Sequence, residues 1–201
     1  MKKIFVSAAW LMLLALYVGA QTEEGGKNEV MVWGGFSPDS TTALRIFGRT
    51  ADARFAIISF RYSHRFNTGD VVNIRYTADA TPVAAVNFEA PFTTPTVRTA
   101  TYGFGFAPFG GQANFRPRKK VQPFVGLSGG FLYFGKQVPG SLGTHFQFTA
   151  HVGGGVDIRL HNNKALTLGY KYFHISNWNR GIINPGIDNN IFYVGYTFLS
   201  R

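Results

Sequence analysis

Apolar and polar residues alternate with a period of two along most of the chain, and beyond residue 20 no helical periodicity of useful length is present. In residues 145–160 every even position is apolar or glycine, and every odd position is polar or glycine. Residues 56–65 and 72–79 show the same alternation. Successive side chains of a strand point to opposite faces, so the pattern predicts strands with one apolar and one polar face.

Eight segments carry this alternation and are predicted as strands. They are residues 28–37, 53–66, 70–82, 98–109, 120–134, 145–160, 164–176 and 189–200. Their connections alternate between short turns and long loops, with long loops at 38–52, 83–97 and 177–188. The turn between the fourth and fifth strands is an exception, since it is predicted to be longer and carries the basic run 116–120.

The N-terminus has the pattern of an export signal. Lys2 and Lys3 precede an apolar stretch at 4–17, and small residues end at Ala20 ahead of a polar segment. We interpret residues 1–20 as a signal peptide that is cleaved after Ala20, which leaves 21–201 as one domain. A membrane-anchoring helix is the alternative, although the apolar stretch is near the lower length limit for a membrane span.

Composition narrows the class of protein. The chain has 201 residues, of which 45% are hydrophobic, 16% aromatic and 15% charged, and a chain of this kind collapses rather than staying disordered. The absence of cysteine excludes disulfides, a thiolate metal site and a cysteine nucleophile. The formal net charge of +10 raises nucleic acid as a partner, but the export signal argues against an intracellular one.

An export signal, eight strands and alternating turns and loops together predict an all-β fold, an eight-stranded antiparallel transmembrane β-barrel of the bacterial outer membrane. A soluble barrel with its apolar faces inward has the same alternation, but the many aromatic residues on the apolar faces favour contact with lipid. A narrow barrel is filled by its inward side chains, so the polar faces predict a polar filling rather than an active site. That filling comprises Arg61, Arg65, Arg75, Asp79, His151, Asp157 and Arg159.

Candidate chemistry lies at the end of the seventh strand. The even, lipid-facing positions of this strand end in His174 and Ser176, and side chains two apart on a strand point the same way. Counting back from Phe192 in the eighth strand places Asp188 on the same face. Serine, histidine and aspartate on one surface form a candidate hydrolytic triad. The alternative is a set of interfacial polar residues beside an aromatic belt.

The segment from Tyr172 to Tyr193 resembles the lipid A 3-O-deacylase family (PagL-type), which includes proteins labelled acyloxyacyl hydrolase. The family pattern has His-x-Ser-Asn near the end of the penultimate strand and an acidic residue twelve positions after the serine. This chain has that pattern in His174 to Asn177, and Asp188 follows Ser176 by twelve. The family's acid is usually glutamate, so the aspartate is a departure that requires a closer approach of the loop.

The resemblance implies an outer-membrane serine esterase that removes an ester-linked 3-hydroxyacyl chain from lipid A in the outer leaflet. By this resemblance Ser176 is the nucleophile, His174 the general base and Asp188 the orienting acid. Asn177 is a candidate oxyanion donor, and the reaction requires no metal or cofactor. A non-catalytic outer-membrane barrel that serves stability, adhesion or binding is the alternative function.

Basic residues near the predicted extracellular ends are weaker candidates for substrate binding. Arg180 lies in the last long loop, and Arg98 and Lys136 lie near other extracellular ends. Cations attract phosphate strongly, so these side chains are candidates for contact with the phosphates of lipid A. Ordinary solvated loop residues are the alternative.

Overall fold

The computed structural model describes residues 26–40, 44–90 and 97–200, so the predicted signal peptide lies outside the described residues. Eight antiparallel strands pair in chain order, and β1 also pairs with β8 to close a barrel. The predicted β-barrel is therefore confirmed. The strands are β1 (Asn28–Ser37), β2 (Arg54–Arg65), β3 (Val72–Glu89), β4 (Arg98–Phe115), β5 (Val121–Val138), β6 (Thr144–Arg159), β7 (Ala165–Ser176) and β8 (Ile187–Ser200).

Strands β3, β4 and β5 are longer than their predicted bounds, because they continue through bulges. Strand β8 begins two residues before its predicted start, so Asp188 lies in the strand and not in the predicted loop 177–188. The pairing of β3 shifts between Thr81 and Ala84, on either side of Pro82, and the pairing of β4 shifts between Phe106 and Phe109. Proline has no N–H to donate to the ladder, so it is tolerated inside a strand chiefly at such bulges. In the sequence Pro82 and Pro108 resemble strand ends. Strand β5 also extends beyond its predicted end, and its pairing with β6 shifts between Tyr133 and Val138.

The turn between β4 and β5 is tight, so the prediction of a longer connection was wrong. Strand β4 continues through Gly110 and Gly111, which leaves only residues 116–120 between the two strands. Arg116 has a positive φ of 56° and its carbonyl accepts a hydrogen bond from the Lys119 N–H at 2.9 Å. We call this end of the barrel, with its turns after β2, β4 and β6, the short-turn end, and the opposite end the long-loop end.

The outward face of the barrel is apolar. Many large hydrophobic side chains are exposed on it, among them Phe60 in β2, Phe104 in β4 and Phe192 in β8. Within the described ranges no helix is long and apolar enough to span a membrane.

The charged pairs inside the barrel lie toward the short-turn end. There Arg61 binds the Asp79 carboxylate at 2.8 Å. Glu29 accepts from Arg75 at 2.5 Å and from Arg159 at 2.6 Å. These buried charges are paired, as burial requires. The residues predicted as a polar filling lie on the inward face of their strands, in agreement with the sequence pattern.

Toward the long-loop end the interior is mainly apolar, which the prediction of a polar filling did not include. Phe55 and Phe173 stack there with ring centroids 5.5 Å apart, and Ile175 and Ile187 are about 1% exposed. This part of the barrel is packed like the core of a soluble protein. The upper wall that carries the candidate site therefore rests on a close-packed apolar interior.

Candidate active site

His174 and Asp188 face each other across β7 and β8 on the outward side of the barrel. The two residues are direct partners in the ladder, near the long-loop end. The Nδ1 atom of His174 lies 2.7 Å from Oδ1 of Asp188. The Asp188 side chain is fully buried, whereas the His174 side chain is 20% exposed. The structure therefore brings these two predicted residues together and joins them by a hydrogen bond.

Asp188 is buried because a segment of the β1–β2 loop lies over it outside the barrel wall. We call residues 44–50 the strap. Three consecutive N–H groups of the strap donate to Oδ2 of Asp188: Ile46 at 2.8 Å, Phe47 at 3.0 Å and Gly48 at 2.8 Å. Successive main-chain N–H groups of this kind form a concave anion-binding site. The strap therefore fixes the carboxylate on the side opposite His174.

The strap is held against β8 by further hydrogen bonds. The Asn190 side chain accepts from Leu44 N and donates to Leu44 O, both at 3.1 Å, in the manner of a paired peptide group. The Arg49 N–H donates to the carbonyl of Pro185 at 2.6 Å. The strap is thus fastened both before and after the three N–H groups that hold Asp188.

Two glycines allow the close approach around the His174–Asp188 pair. A Cβ atom on Gly48 would lie 2.6 Å from the main-chain N of Asp188. Gly186 has a φ of +65°, and a Cβ there would lie 2.8 Å from Cε1 of His174. The Phe47 ring packs edge-on against His174 with a centroid distance of 5.6 Å. The imidazole is therefore confined by the strap and by the start of β8.

Ser176 lies two residues beyond His174 on the same face. Its hydroxyl donates to Oδ1 of Asn184 at 3.1 Å and accepts from the Trp178 N–H at 3.2 Å. Among the described residues, no hydrogen bond joins Ser176 to His174. The structure therefore brings the serine and the histidine to one place, with the hydroxyl turned toward the β7–β8 loop.

Asn177 braces the β7–β8 loop with its side chain. Its Nδ2 atom donates to the carbonyl of Ile183 at 2.7 Å. Its main-chain N–H donates to Oδ1 of Asn184 at 3.1 Å, the same oxygen that accepts the Ser176 hydroxyl. The main-chain N–H of Asn177 therefore faces the serine side of the loop, while its amide side chain does not.

An apolar groove of about 670 Å³ opens beside the pair on the outer wall, with His174 and Ser176 at one end. It crosses β6 and β5 to reach β4. Its other lining residues are Phe47, Pro108, Phe109, Gly130, Phe131, Phe148, Thr149, Ala150 and Trp178. An apolar lining with a few polar groups is typical of ligand-binding sites, and this groove has that composition.

The three basic candidates lie in different surroundings. The Arg180 guanidinium stands 5.2 Å from the ring centroid of Phe148, at the rim of the groove. Arg98 is bound to Glu89 at 3.2 Å and to Asn87 at 2.8 Å. Lys136 lies toward the long-loop end of β5. Of the three, Arg180 is the cation at the groove.

The contacts of the strap with Asp188 and of Asn184 with Ser176 were not predicted from the sequence. The strap acts through main-chain N–H groups, which leave no residue-type signal, and Asn184 had no partner that the strand pattern could identify. In the described part of the chain, His, Asp and Glu side chains form no group of three suited to a metal ion.

The chain matches the family described as lipid A 3-O-deacylase (PagL) over residues 58–197, which is more than half its length. The solved structure of the outer membrane enzyme PagL has 15% identity and a TM-score of 0.56, covering 84% of this chain and 97% of that chain. The structure of Neisserial surface protein A (NspA) has 16% identity and a TM-score of 0.53, covering 87% and 98%.

None of the curated proteins compared with the chain matches it. The two structural matches have the fold of outer-membrane β-barrels, as the sequence pattern predicted, and at this identity they establish the fold alone. The family match covers β7 and most of β8, and therefore includes His174, Ser176 and Asp188. The chain belongs to the lipid A 3-O-deacylase (PagL) family, the family that its His-x-Ser-Asn segment resembles.

Proposed function

We propose that the chain is an outer-membrane ester hydrolase that removes an ester-linked 3-hydroxyacyl chain from lipid A. The observation that carries the proposal is the His174–Asp188 hydrogen bond of 2.7 Å beside Ser176, at the end of an apolar groove. The position on the outward wall suits a lipid that stays in the outer leaflet while its ester reaches the site. Family membership supports the same reaction class.

Asp188 and His174 supply the general base. The Asp188 carboxylate accepts the Nδ1 hydrogen of His174, so that Nε2 carries the lone pair of the neutral imidazole. Rotation of the Ser176 side chain away from Asn184 turns its hydroxyl toward this nitrogen. The Ser176 proton then passes to Nε2 as Oγ bonds to the ester carbonyl carbon.

Collapse of the tetrahedral intermediate breaks the bond between the carbonyl carbon and the sugar oxygen. His174 returns the proton to this oxygen, which leaves as the free hydroxyl of deacylated lipid A, and Ser176 holds the acyl group. A water molecule then gives its proton to Nε2 and attacks the acyl-enzyme. The bond between the carbonyl carbon and Ser176 Oγ then breaks, and His174 returns the proton to Oγ. The products are the free 3-hydroxy fatty acid and the regenerated serine.

The charge that develops on the carbonyl oxygen needs hydrogen-bond donors. The main-chain N–H groups of Asn177 and Trp178 are directed to the serine side of the loop, onto Asn184 Oδ1 and Ser176 Oγ respectively. We assign Asn177 to the oxyanion site through its main-chain N–H. The scissile acyl chain occupies the groove, and Arg180 at its rim is a candidate contact for a phosphate of lipid A.

The test is mass spectrometry of lipid A after incubation with the refolded, detergent-solubilised protein. The wild type should release one 3-hydroxyacyl group, and Ser176→Ala should release none. Ser63→Ala, a buried inward position near the short-turn end, is the matched control and should retain the activity. Intact lipid A after incubation with a protein whose β-barrel spectrum is normal would overturn the proposal. That outcome would favour the non-catalytic barrel, in which Ser176 remains bound to Asn184.

A further inference from the structure

The groove follows one row of outward positions across four strands. His174 in β7 pairs with Ala150 in β6, Ala150 pairs with Gly129 in β5, and Gly129 pairs with Phe109 in β4. Neighbouring strands lie about 4.8 Å apart, so the row from His174 to Phe109 spans roughly 14 Å. The row starts beside the proposed nucleophile and ends on an aromatic side chain.

Positions along this row lie progressively closer to the short-turn end of their strands. His174 is nine residues from the short-turn end of β7, and Gly129 is eight residues from that end of β5. Phe109 is only six residues from the short-turn end of β4. An acyl chain that enters at Ser176 and follows the row therefore runs from the long-loop end toward the middle of the bilayer, as the acyl chains of an outer-leaflet lipid do.

Ala150 and Gly130 line the groove, and Gly129 lies between Ala150 and Phe109 in the row that the groove follows. A Cβ atom on Gly129 would meet only the carbonyl oxygen of Thr149, at 3.8 Å, so the position is open to the outside. On the long-loop side Phe131 and Phe146 stack with centroids 5.3 Å apart, and Phe148 packs on Phe146 at 5.1 Å. The floor thus has room for a hydrocarbon chain beneath a continuous aromatic edge.

The far end of the groove coincides with the bulge in β4. Pairing of β4 shifts between Phe106 and Phe109, and the Tyr76 hydroxyl donates to the carbonyl of Pro108 at 2.5 Å. Bulges change the direction of the side chains beside them. The Phe109 side chain is 75% exposed and projects from the wall at the point where the row ends.

We propose that Phe109 closes the deep end of the groove and that the missing side chain at Gly129 keeps its floor open. Together these two positions set the longest acyl chain that the enzyme accepts. The inference rests on the proposed function, since it assigns the groove to the chain that is cleaved. It concerns the substrate's acyl length, which neither the fold nor the triad determines.

The test is the rate of hydrolysis of a series of acyl esters from butanoyl to hexadecanoyl by the refolded full barrel. Gly129→Leu should lower the ratio of dodecanoyl to butanoyl turnover by about 10-fold or more. The leucine side chain would occupy the part of the groove that a long acyl chain needs and a butanoyl chain does not. Phe109→Ala should shift the preferred length toward longer chains. Gly111→Leu is the matched control, since a Cβ at this position meets nothing within 4 Å and Gly111 pairs with Leu127, outside the row from His174 to Phe109.

The two proposals fail in different ways. If wild type hydrolyses esters in a Ser176-dependent manner but neither variant changes the length profile, the role of Phe109 and Gly129 is overturned and the hydrolase remains. If folded wild type hydrolyses nothing, the hydrolase is overturned. In that case the length preference is measured by the binding of brominated fatty acids, which quench the fluorescence of Trp178 in the groove lining. The Trp178→Phe variant gives the fluorescence change that does not come from Trp178. Equal quenching of Gly129→Leu and wild type at every length would overturn the length proposal as well.

Discussion

Asp79 and Asp188 are both buried, with 2% and 1% exposure, but they lie on opposite sides of the barrel wall. Inside, Asp79 accepts two hydrogen bonds from Arg61, at 2.9 and 2.8 Å, and one from Trp33 at 2.8 Å. Outside, Asp188 binds His174 through one oxygen and three N–H groups of the strap through the other. Each carboxylate is fully engaged, but only Asp188 is engaged by a side chain that can both accept and donate a proton.

The difference lies in the partner and in access to it. The Arg61 guanidinium stays protonated and is itself enclosed in the interior, so its pair with Asp79 can only bind and stabilise. His174 has a second ring nitrogen and stands at the end of the groove, so its pair with Asp188 is suited to proton transfer. Burial of a carboxylate alone therefore does not indicate a candidate active site, whereas an accessible histidine bound to that carboxylate does.

Asp188→Asn should give the largest effect, a loss of ester hydrolysis of about 10⁴-fold, because an amide does not hold the imidazole in the required tautomer. The barrel should still fold, since the strap keeps its bonds to Asn190. Rates of ester hydrolysis and circular dichroism of the refolded variant provide the measurement. Full activity in the variant would remove Asp188 from the proposed mechanism and make it a structural residue like Asp79.

Asp79→Asn should have the opposite consequence, because it leaves the buried charge of Arg61 without its partner. We expect a loss of roughly 3–5 kcal/mol in the free energy of unfolding, measured by denaturant titration in detergent. Turnover per folded molecule should equal that of wild type. A variant that unfolds normally but has lost turnover would show that the interior pair also serves the reaction.

The alternation of the strands was enough to predict the outward position of all three triad candidates. Two-residue periodicity fixes the face of His174, Ser176 and Asp188 once the lipid-facing side is identified. The apolar interior of the long-loop half was not predicted, because the strand pattern assigned polar residues to the inward face. Phe173 and Ile175 lie on that face but are apolar. The extensions of β3 and β4 were missed because Pro82 and Pro108 resemble strand ends until their bulges are seen.

The strap could not be predicted, since it binds Asp188 with main-chain N–H groups that every residue except proline possesses. Gly48→Ala tests it, because the new Cβ would lie 2.6 Å from the Asp188 nitrogen and displace the strap. We expect hydrolysis to fall by about 10²-fold with the strands intact. Gly34→Ala is the matched control, since its Cβ would meet nothing closer than 3.6 Å. Equal rates for both variants would mean that the strap does not position the acid.

Asn177→Ala separates two roles in the β7–β8 loop. Loss of the 2.7 Å bond from Nδ2 to Ile183 O should loosen the loop and raise KM, with kcat reduced by less than about 10-fold. A side-chain donor to the oxyanion would instead cost about 10²- to 10³-fold in kcat with little change in KM. Steady-state kinetics of the variant distinguish the two, and the second result would move the oxyanion role from the main chain to the side chain.

Arg180→Ala should have the smallest effect, because an exposed cation contributes little to binding in solution. We expect KM for phosphorylated lipid A to rise by about 5-fold or less, and the dependence of KM on salt to weaken. Arg98→Ala is the matched control, because Arg98 is held by Glu89 away from the groove. Arg61 is buried and paired with Asp79, whereas Arg180 is exposed beside Phe148 at the groove rim. The charge of Arg180 is therefore available to a ligand. Identical KM and salt dependence in the Arg180 variant and wild type would assign it only to packing on Phe148.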